Sequence, residues 1–418
     1  VIIGGNPAIS KMSFINLPDP VRRLEGIVAR GGRVVHLNPR RTETAKAVGE
    51  QVFIRPDTDV FFLLAFLNEV IARDGVRRER VAAHMNGFEQ VAALVAPWTP
   101  ERQAALTGVP AETLRELAGA YLAADGAALY GSTGINQGSN GSTAFWLLEV
   151  INAVTGNLDR RGGTLMGRGI VDYAKATANA DAKVFRSRVG DTPSFLGALP
   201  TALLADEVLA PGPDRVRAMF VISGNPLITG TRSARMAQAF GELELRVSID
   251  LVRNETAELA DYILPGTHFA ERPDLPFSFF TFSGLMPEPW IQYTDRMVAP
   301  PGEARDESWI LARLAAACGA PLFGSRLLQA VLDAGELARR LPFVGPRLKA
   351  LPDRVLDLIL RVAKLGGTGG LRKFPHGKAR FIALPRAQEG RPAPVELPPG
   401  SRVVTEGRFA LEDGRALR

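Results

Sequence analysis

Cysteine occurs once in the 418 residues, as Cys318, and histidine four times, at 36, 84, 268 and 376. One thiol excludes an intramolecular disulfide framework and a four-cysteine zinc or iron–sulfur site. Four imidazoles so scattered point to no metal site. No apolar run reaches the ~18 residues of a membrane-spanning helix, so no membrane span is expected. Aromatic residues make up only 7%, and few of them interleave with basic ones. The mild charge excess, 50 Lys and Arg against 44 Asp and Glu, with a pI of ≈ 9.6, therefore reads as solvated helices. No nucleic-acid partner is expected, since no recognition module is visible.

What is present is the composition of a folded chain. At 46% hydrophobic and 22% charged, wholesale disorder is excluded. The length sets an expectation of two to four domains, with a core large enough to need no staple. The chain opens on Val1-Ile2-Ile3, which reads as the middle of a buried strand, with no initiator methionine or leader before it. We expect an internal segment of a longer chain, and a cytoplasmic location.

Two segments share one grammar. Val1-Ile2-Ile3-Gly4-Gly5-Asn6-Pro7-Ala8 leads through a helical stretch to Arg33-Val34-Val35-His36-Leu37-Asn38-Pro39-Arg40-Arg41-Thr42-Glu43-Thr44-Ala45. Met219-Phe220-Val221-Ile222-Ser223-Gly224-Asn225-Pro226-Leu227 leads likewise to Arg246-Val247-Ser248-Ile249-Asp250-Leu251-Val252-Arg253-Asn254-Glu255-Thr256-Ala257. Asn6 and Asn225 lie 219 positions apart, Thr44 and Thr256 lie 212 apart. Two elements in one order at nearly one offset argue for duplicated βαβ units. Each unit opens on an apolar strand of the kind buried on both faces of a parallel sheet. Gly-Asn-Pro then lets the backbone turn and approach a ligand at the carboxyl end of the strand, where open parallel sheets bind. Asn38 or Asp250, ending the second strand, suits a ribose hydroxyl or a purine edge. One such loop could merely cap the following helix; two matching loops favour nucleotide-like ligands.

Helices are expected over Thr58–Ala72, Thr113–Ala124 and Thr143–Val154, with a short strand at Ala127–Tyr130. That strand leads into the loop Gly131-Ser132-Thr133-Gly134-Ile135-Asn136-Gln137-Gly138-Ser139-Asn140-Gly141, whose amides precede a helix and suit an anion. A later helix holds Trp309 and Cys318, and Cys318 reads as a small core residue near its end. Residues 322–372 alternate amphipathic helix with proline breaks, and the tail from Leu384 is proline-rich.

Seven segments bring the chain into one pattern: Gly-Gly-Asn-Pro-Ala-Ile-Ser at 4–10, Asn-Pro-Arg-Arg-Thr-Glu-Thr-Ala at 38–45, Arg-Pro-Asp-Thr-Asp at 55–59, Thr-Gly-Ile-Asn-Gln at 133–137, Leu-Glu-Val-Ile-Asn-Ala-Val-Thr-Gly-Asn-Leu at 148–158, Gly-Asn-Pro-Leu at 224–227, and Asn-Glu-Thr-Ala-Glu-Leu-Ala-Asp-Tyr-Ile-Leu-Pro at 254–265. In this order they resemble the molybdopterin oxidoreductases, the group that includes formate dehydrogenases, nitrate reductases and dimethyl sulfoxide reductase. The resemblance implies an α/β fold with two related Rossmann-like, doubly wound parallel-sheet domains about a pseudo-two-fold. It also implies two pterin guanine dinucleotides holding one molybdenum or tungsten ion. Gly5, Asn6, Asn38, Pro39 and Arg40 would hold one dinucleotide. Gly134 and Gln137 would line the gap near the pterins. Gly224, Asn225, Pro226, Thr229, Asp250 and Thr267 would hold the other.

The same resemblance locates what the chain lacks. The metal ligand and the cysteines of a 4Fe-4S cluster would precede the first dinucleotide loop, and neither is present. No catalytic residue and no metal ligand is therefore assigned. Arg168 sits where many members place an active-site arginine, without its usual neighbours. The expected domains are 1–168 and 169–268 for the two dinucleotide sites, 269–373 for a return and helical segment, and 374–418 for the start of a β-barrel-like domain otherwise missing. The parent would act on a small-molecule substrate and pass electrons onward, with an electron-transfer subunit as its partner. The competing reading is a non-catalytic scaffold of the same fold, as in the large peripheral subunit of respiratory complex I.

Overall fold

The computed structural model describes residues 1–11, 17, 19–164, 184–195, 197–273, 290–292, 296–321, 324–338, 341–343 and 379–381. These fall into two compact units, one carried by residues 1–164 and the other by the described residues from 184 on. Arg168, the aromatic stretch 277–282 and most of the expected last domain lie outside the described residues. Among those described there is no closed barrel.

The first unit begins with β1 (Ile2–Ile3), α1 (Pro7–Ser10), α2 (Pro20–Ala29), β2 (Val35–Leu37), α3 (Glu43–Ala47), β3 (Glu50–Val52) and α4 (Asp59–Ala72). Then come α5 (Arg78–His84), α6 (Phe88–Val95), α7 (Pro100–Thr107), α8 (Ala111–Ala123), β4 (Tyr130–Gly131), α9 (Thr133–Asn136) and α10 (Gly141–Val154). All four strands pair in parallel in the order β3-β2-β1-β4. The order reverses between β1 and β4. That switch point is where connections diverge to the two faces of a sheet and leave a crevice at the carboxyl ends of the strands. The strand expected at Ala127–Tyr130 is confined to Tyr130–Gly131, because the backbone before it is tied to side chains instead. Asn152 accepts from Leu129 N–H at 3.0 Å and donates to Leu129 C=O at 3.0 Å, and Asn157 accepts from Ala127 N–H at 3.2 Å.

Helix α4 is the centre of this unit. Its sequence, Asp-Val-Phe-Phe-Leu-Leu-Ala-Phe-Leu, is apolar all round, the pattern of a helix with no solvent face. Val60 to Leu67 and Val70 are all buried. Phe61 stacks on Trp98 with centroids 5.1 Å apart, and Phe66 meets Tyr121 edge-on at 5.7 Å. Arg102 covers the outer side of Trp98 at 4.1 Å. The Tyr121 hydroxyl, buried here, donates to Asn152 Oδ1 at 2.8 Å. The segment Leu148–Leu158 is therefore a structural knot that pins α8, α10 and the entry to β4 together.

The second unit contains α11 (Leu204–Leu209), β5 (Ala218–Ile222), α12 (Pro226–Thr229), α13 (Ser233–Gly241), β6 (Leu245–Asp250), α14 (Glu255–Glu258), β7 (Tyr262–Pro265), β8 (Trp290–Gln292), α15 (Glu307–Ala317), α16 (Arg326–Ala338) and β9 (Ala379–Phe381). Strands β5, β6 and β7 form a parallel sheet in that order, and β8 pairs antiparallel with β9. Cys318 is not the core residue expected from its small neighbours: it caps α15 with its thiol exposed. That helix buries Ile310 and Ala312 near its middle, and the cap lies a full turn past the packed stripe.

The duplication holds residue by residue. Ile2 pairs with His36 and Val35 with Glu50 in the first sheet; Val221 pairs with Ser248 and Val247 with Tyr262 in the second. Adding 219 to the first strand and 212 to the next two converts one register into the other. The outer strands β5 and β7 of the second sheet are less well covered than its centre, β6. Phe220 is 43% and Tyr262 62% exposed, whereas β1 and β2 are wholly buried.

Candidate functional site

The turn after β1 is set by sterics. Gly4 takes φ +61°, and the first turn of the β4 loop packs against it so closely that a Cβ on Gly134 would lie 2.6 Å from Gly4 O. Gly134 N–H donates to that oxygen at 3.0 Å. Asn6, just beyond, is the hub of a cradle. Its Oδ1 accepts from the Thr44 hydroxyl at 2.8 Å and from Thr44 N–H at 3.2 Å, and its Nδ2 donates to Glu43 Oε2 at 2.6 Å. Ala8 N–H donates to Thr44 Oγ1 at 2.9 Å, so the loops after β1 and β2 are locked together. Arg40 donates to both carboxylate oxygens of Glu43 at 3.3 and 3.1 Å. The Arg40 guanidinium, then the Glu43 backbone N–H and the Asn6 amide, hold the Glu43 carboxyl down at about 2.

The second unit repeats this arrangement. Asn225 Nδ2 donates to Glu255 Oε2 at 2.6 Å, Asn225 Oδ1 accepts from the Thr256 hydroxyl at 2.8 Å, and Leu227 N–H donates to Thr256 Oγ1 at 3.4 Å. Even the backbone of the hub matches, φ −138° and ψ 73° at Asn6 against −133° and 70° at Asn225. The backbone N–H of Glu255 and then the Asn225 amide lower the Glu255 carboxyl. Asp250 stands where Asn38 stands in the first unit. Its carboxylate accepts from Leu251 N–H at 2.7 Å and from Asn254 Nδ2 at 3.0 Å.

The five residues expected to hold the first ligand and the two expected to line the gap near the pterins come together. Gly5, Asn6, Asn38, Pro39, Arg40, Gly134 and Gln137 all line one cavity of about 440 Å³ at the carboxyl ends of β1 to β4. Its volume is that of a small-molecule site. Gly4, Thr42, Pro56, Asp57, Asp59, Gly138 and Ser139 complete the lining, and sequence reasoning gave none of them a role. The signal was on view in Arg-Pro-Asp-Thr-Asp, a loop with two carboxylates directly before the apolar run of α4. Burial, and then the nearby Asp57 charge, raise the Asp59 carboxyl above the ordinary aspartate range. The six residues expected around the second ligand sit at the carboxyl ends of β5, β6 and β7. Gly224, Asn225, Pro226 and Thr229 follow β5, Asp250 ends β6, and Thr267 follows β7. Thr267 is 3% exposed, with no hydrogen-bond partner for its hydroxyl. Among the described residues no group of three or more His, Cys, Asp or Glu could hold a metal ion, and no helix is long and apolar enough to cross a membrane.

Comparison with known proteins places the chain and its fold. The chain is 27% identical over 297 residues to the probable oxidoreductase YyaE of Bacillus subtilis, spanning 71% of this chain and 42% of that one. It is also 27% identical over 331 residues to the F420-dependent formate dehydrogenase subunit alpha of Methanocaldococcus jannaschii, spanning 76% and 47%. It thus covers about half the length of these curated relatives. Acetylene hydratase from Pelobacter acetylenicus has the same fold, with a TM-score of 0.62 at 22% identity over 76% of this chain and 47% of that one. The family model for molybdopterin oxidoreductase matches residues 27–317, from within α2 to the end of α15, which takes in the β2 side of the first cradle and the whole of the second. The chain belongs to the molybdopterin oxidoreductase family.

Proposed function

We propose that each asparagine cradle anchors one guanine dinucleotide arm of a bis-pterin cofactor carrying molybdenum or tungsten. The observation that supports this reading is the repetition of the cradle, register for register, with the asparagine–glutamate, threonine–asparagine and backbone–threonine hydrogen bonds made in both units. A ligand made of two like halves calls for two like sites.

The donor sets fit the group. Arg40 presents a planar fork suited to a phosphate, and Asp59 offers a carboxylate to the adjacent N–H donors of a guanine edge. In the second unit Asp250 offers the same kind of acceptor. The buried, unpartnered Thr267 hydroxyl is a polar group that a bound ligand would satisfy, and leaving such a group unmatched is costly. A scaffold that had lost its ligand would have no physical reason to keep both cradles, so the cofactor-binding reading is preferred over the complex I type.

When bound, the group supplies two-electron chemistry at its metal. The residues of this chain anchor and orient it, and none is assigned a catalytic role. For the enzyme as a whole we propose oxygen-atom or hydride-equivalent transfer on a small molecule. Electrons would leave one at a time toward an iron–sulfur cluster or a partner subunit. The fold does not choose the substrate, since the similar proteins are named a formate dehydrogenase and a hydratase.

The test is Asp250→Ala, in enzyme purified with its cofactor. An unpaired guanine donor costs ~1–3 kcal/mol, or roughly one to two decades of affinity. Retained guanine nucleotide and metal, measured after denaturation, should both fall. A fully loaded variant with unchanged metal content overturns the assignment.

A further inference from the structure

Four loops surround the cavity of the first unit, and in the sheet order each neighbouring pair is tied by hydrogen bonds. Gly134 N–H donates to Gly4 O at 3.0 Å across the β4 and β1 loops. The Asn6–Thr44 pair joins the β1 and β2 loops, and Gln51 Nε2 donates to Asn38 O at 3.1 Å between β3 and the β2 loop. The loops after β3 and β4 belong to the two outer strands and have no ladder between them. They meet through Asp57, whose Oδ1 accepts from Ser139 N–H at 2.7 Å and whose Oδ2 accepts from the Ser139 hydroxyl at 2.8 Å. This contact closes the ring of ties.

Two local features show that the contact is built in. Asp57 has φ 64°, in the left-handed region that aspartate and asparagine tolerate better than most side chains. Gly138, next to Ser139, has no Cβ where one would collide with Asp57 Oδ1.

We propose that Asp57 is a latch: it holds the 133–139 loop, with Gly134 and Gln137, across the mouth of the cavity and sets how long a ligand stays there. Both of its oxygens are engaged by Ser139, and Asp59 is the other carboxylate in the cavity lining. Asp57 is thus a positioning residue. The proposal rests on the cofactor reading for the identity of the ligand and on the ring of ties for the latch itself.

Two variants separate the latch from simple stability. Asp57→Gly adopts φ 64° without strain but offers no acceptor. Asp57→Asn tolerates the same backbone, accepts from Ser139 N–H and donates its amide to the Ser139 hydroxyl, and so rebuilds the clasp. In the full chain, hydrogen exchange at residues 134–139 should speed about tenfold in Asp57→Gly and stay within about threefold of the original in Asp57→Asn, with exchange in α4 and α10 unchanged. Release of a fluorescent GDP should follow the same order. Unchanged exchange in Asp57→Gly, or Asp57→Asn as loose as Asp57→Gly, overturns the latch. If the unsubstituted chain does not retain GDP, the cofactor reading fails while the exchange measurement still decides the latch.

Discussion

The two units carry one cradle in two different settings. The hub asparagine, its threonine and its glutamate are the same, and their hydrogen bonds agree to within 0.1 Å at Asn6–Glu43 against Asn225–Glu255. Around that hub almost everything differs. Asn38 corresponds to Asp250, Arg40 to Val252, His36 to Ser248, and Asp57 to Phe269, which is 67% exposed. Among the described residues the first sheet has a fourth strand and the largely buried α4 packed with it, whereas β5 alternates between covered and uncovered residues. A loop that must present the same atoms to like halves of a ligand is constrained by hydrogen-bond geometry. The cover of a sheet is constrained only by how much apolar area must leave water, and many sequences meet that demand.

The largest difference should appear in packing. Phe66 is wholly buried between Phe62 and Tyr121, and truncating such a residue costs about 3–5 kcal/mol. Phe220 keeps 43% of its surface in water, so Phe220→Ala should cost only about 1–2 kcal/mol. Urea unfolding followed residue by residue with hydrogen exchange would resolve the two units separately. Equal losses would show that the uncovered face of β5 is buried in solution, and the contrast drawn here would collapse.

A middle-sized effect concerns the hubs. Asn6→Ala leaves the buried Thr44 hydroxyl without its acceptor and should destabilise the β1 and β2 loops by about 1–3 kcal/mol. Asn225→Ala removes the same pair of side-chain bonds, but Asn6 also accepts from Thr44 N–H. The first substitution should therefore cost more than the second. Thermal unfolding of both single variants checks the order, and a larger loss at Asn225 would break the equivalence of the two hubs.

Much of this was legible in the sequence because the constraints are local. Apolar strands ending in Gly-Asn-Pro announced β1 and β5, and the paired offsets announced the duplication before any coordinate. The seven residues expected at the first site share a cavity because they come from loops that a parallel sheet must bring to one edge. What stayed hidden depends on distant partners. Nothing near Asp57 in the sequence indicates that its carboxylate meets Ser139, 82 positions away. Leu148–Leu158 could be matched to a family but not read as the Tyr121–Asn152–Leu129 knot, since its partners come from α8 and the entry to β4. The small neighbours of Cys318 suggest burial, but its position past the packed stripe of α15 decides its exposure.

The smallest expected effect tests a fully buried titratable difference inside the sheets. His36 lies in the middle of β2, fully buried, with Nε2 against Val48 O at 2.9 Å and Nδ1 without a partner. Burial lowers its pKa below the ordinary 6.5, and the Val48 carbonyl opposes this only in part. The folded state therefore resists a proton that the unfolded chain accepts. The stability due to a neutral His36 is complete above pH 6.5 and is lost as pH falls below it, with a slope of at most about 1.4 kcal/mol per pH unit for one proton. Ser248 holds the same register in the second sheet and cannot titrate. His36→Ser should thus be the less stable form at pH 7.5, and its deficit should shrink between pH 6.5 and 5.5. A deficit that stays constant, or grows, across that interval would mean that His36 takes up its proton without cost in the folded sheet.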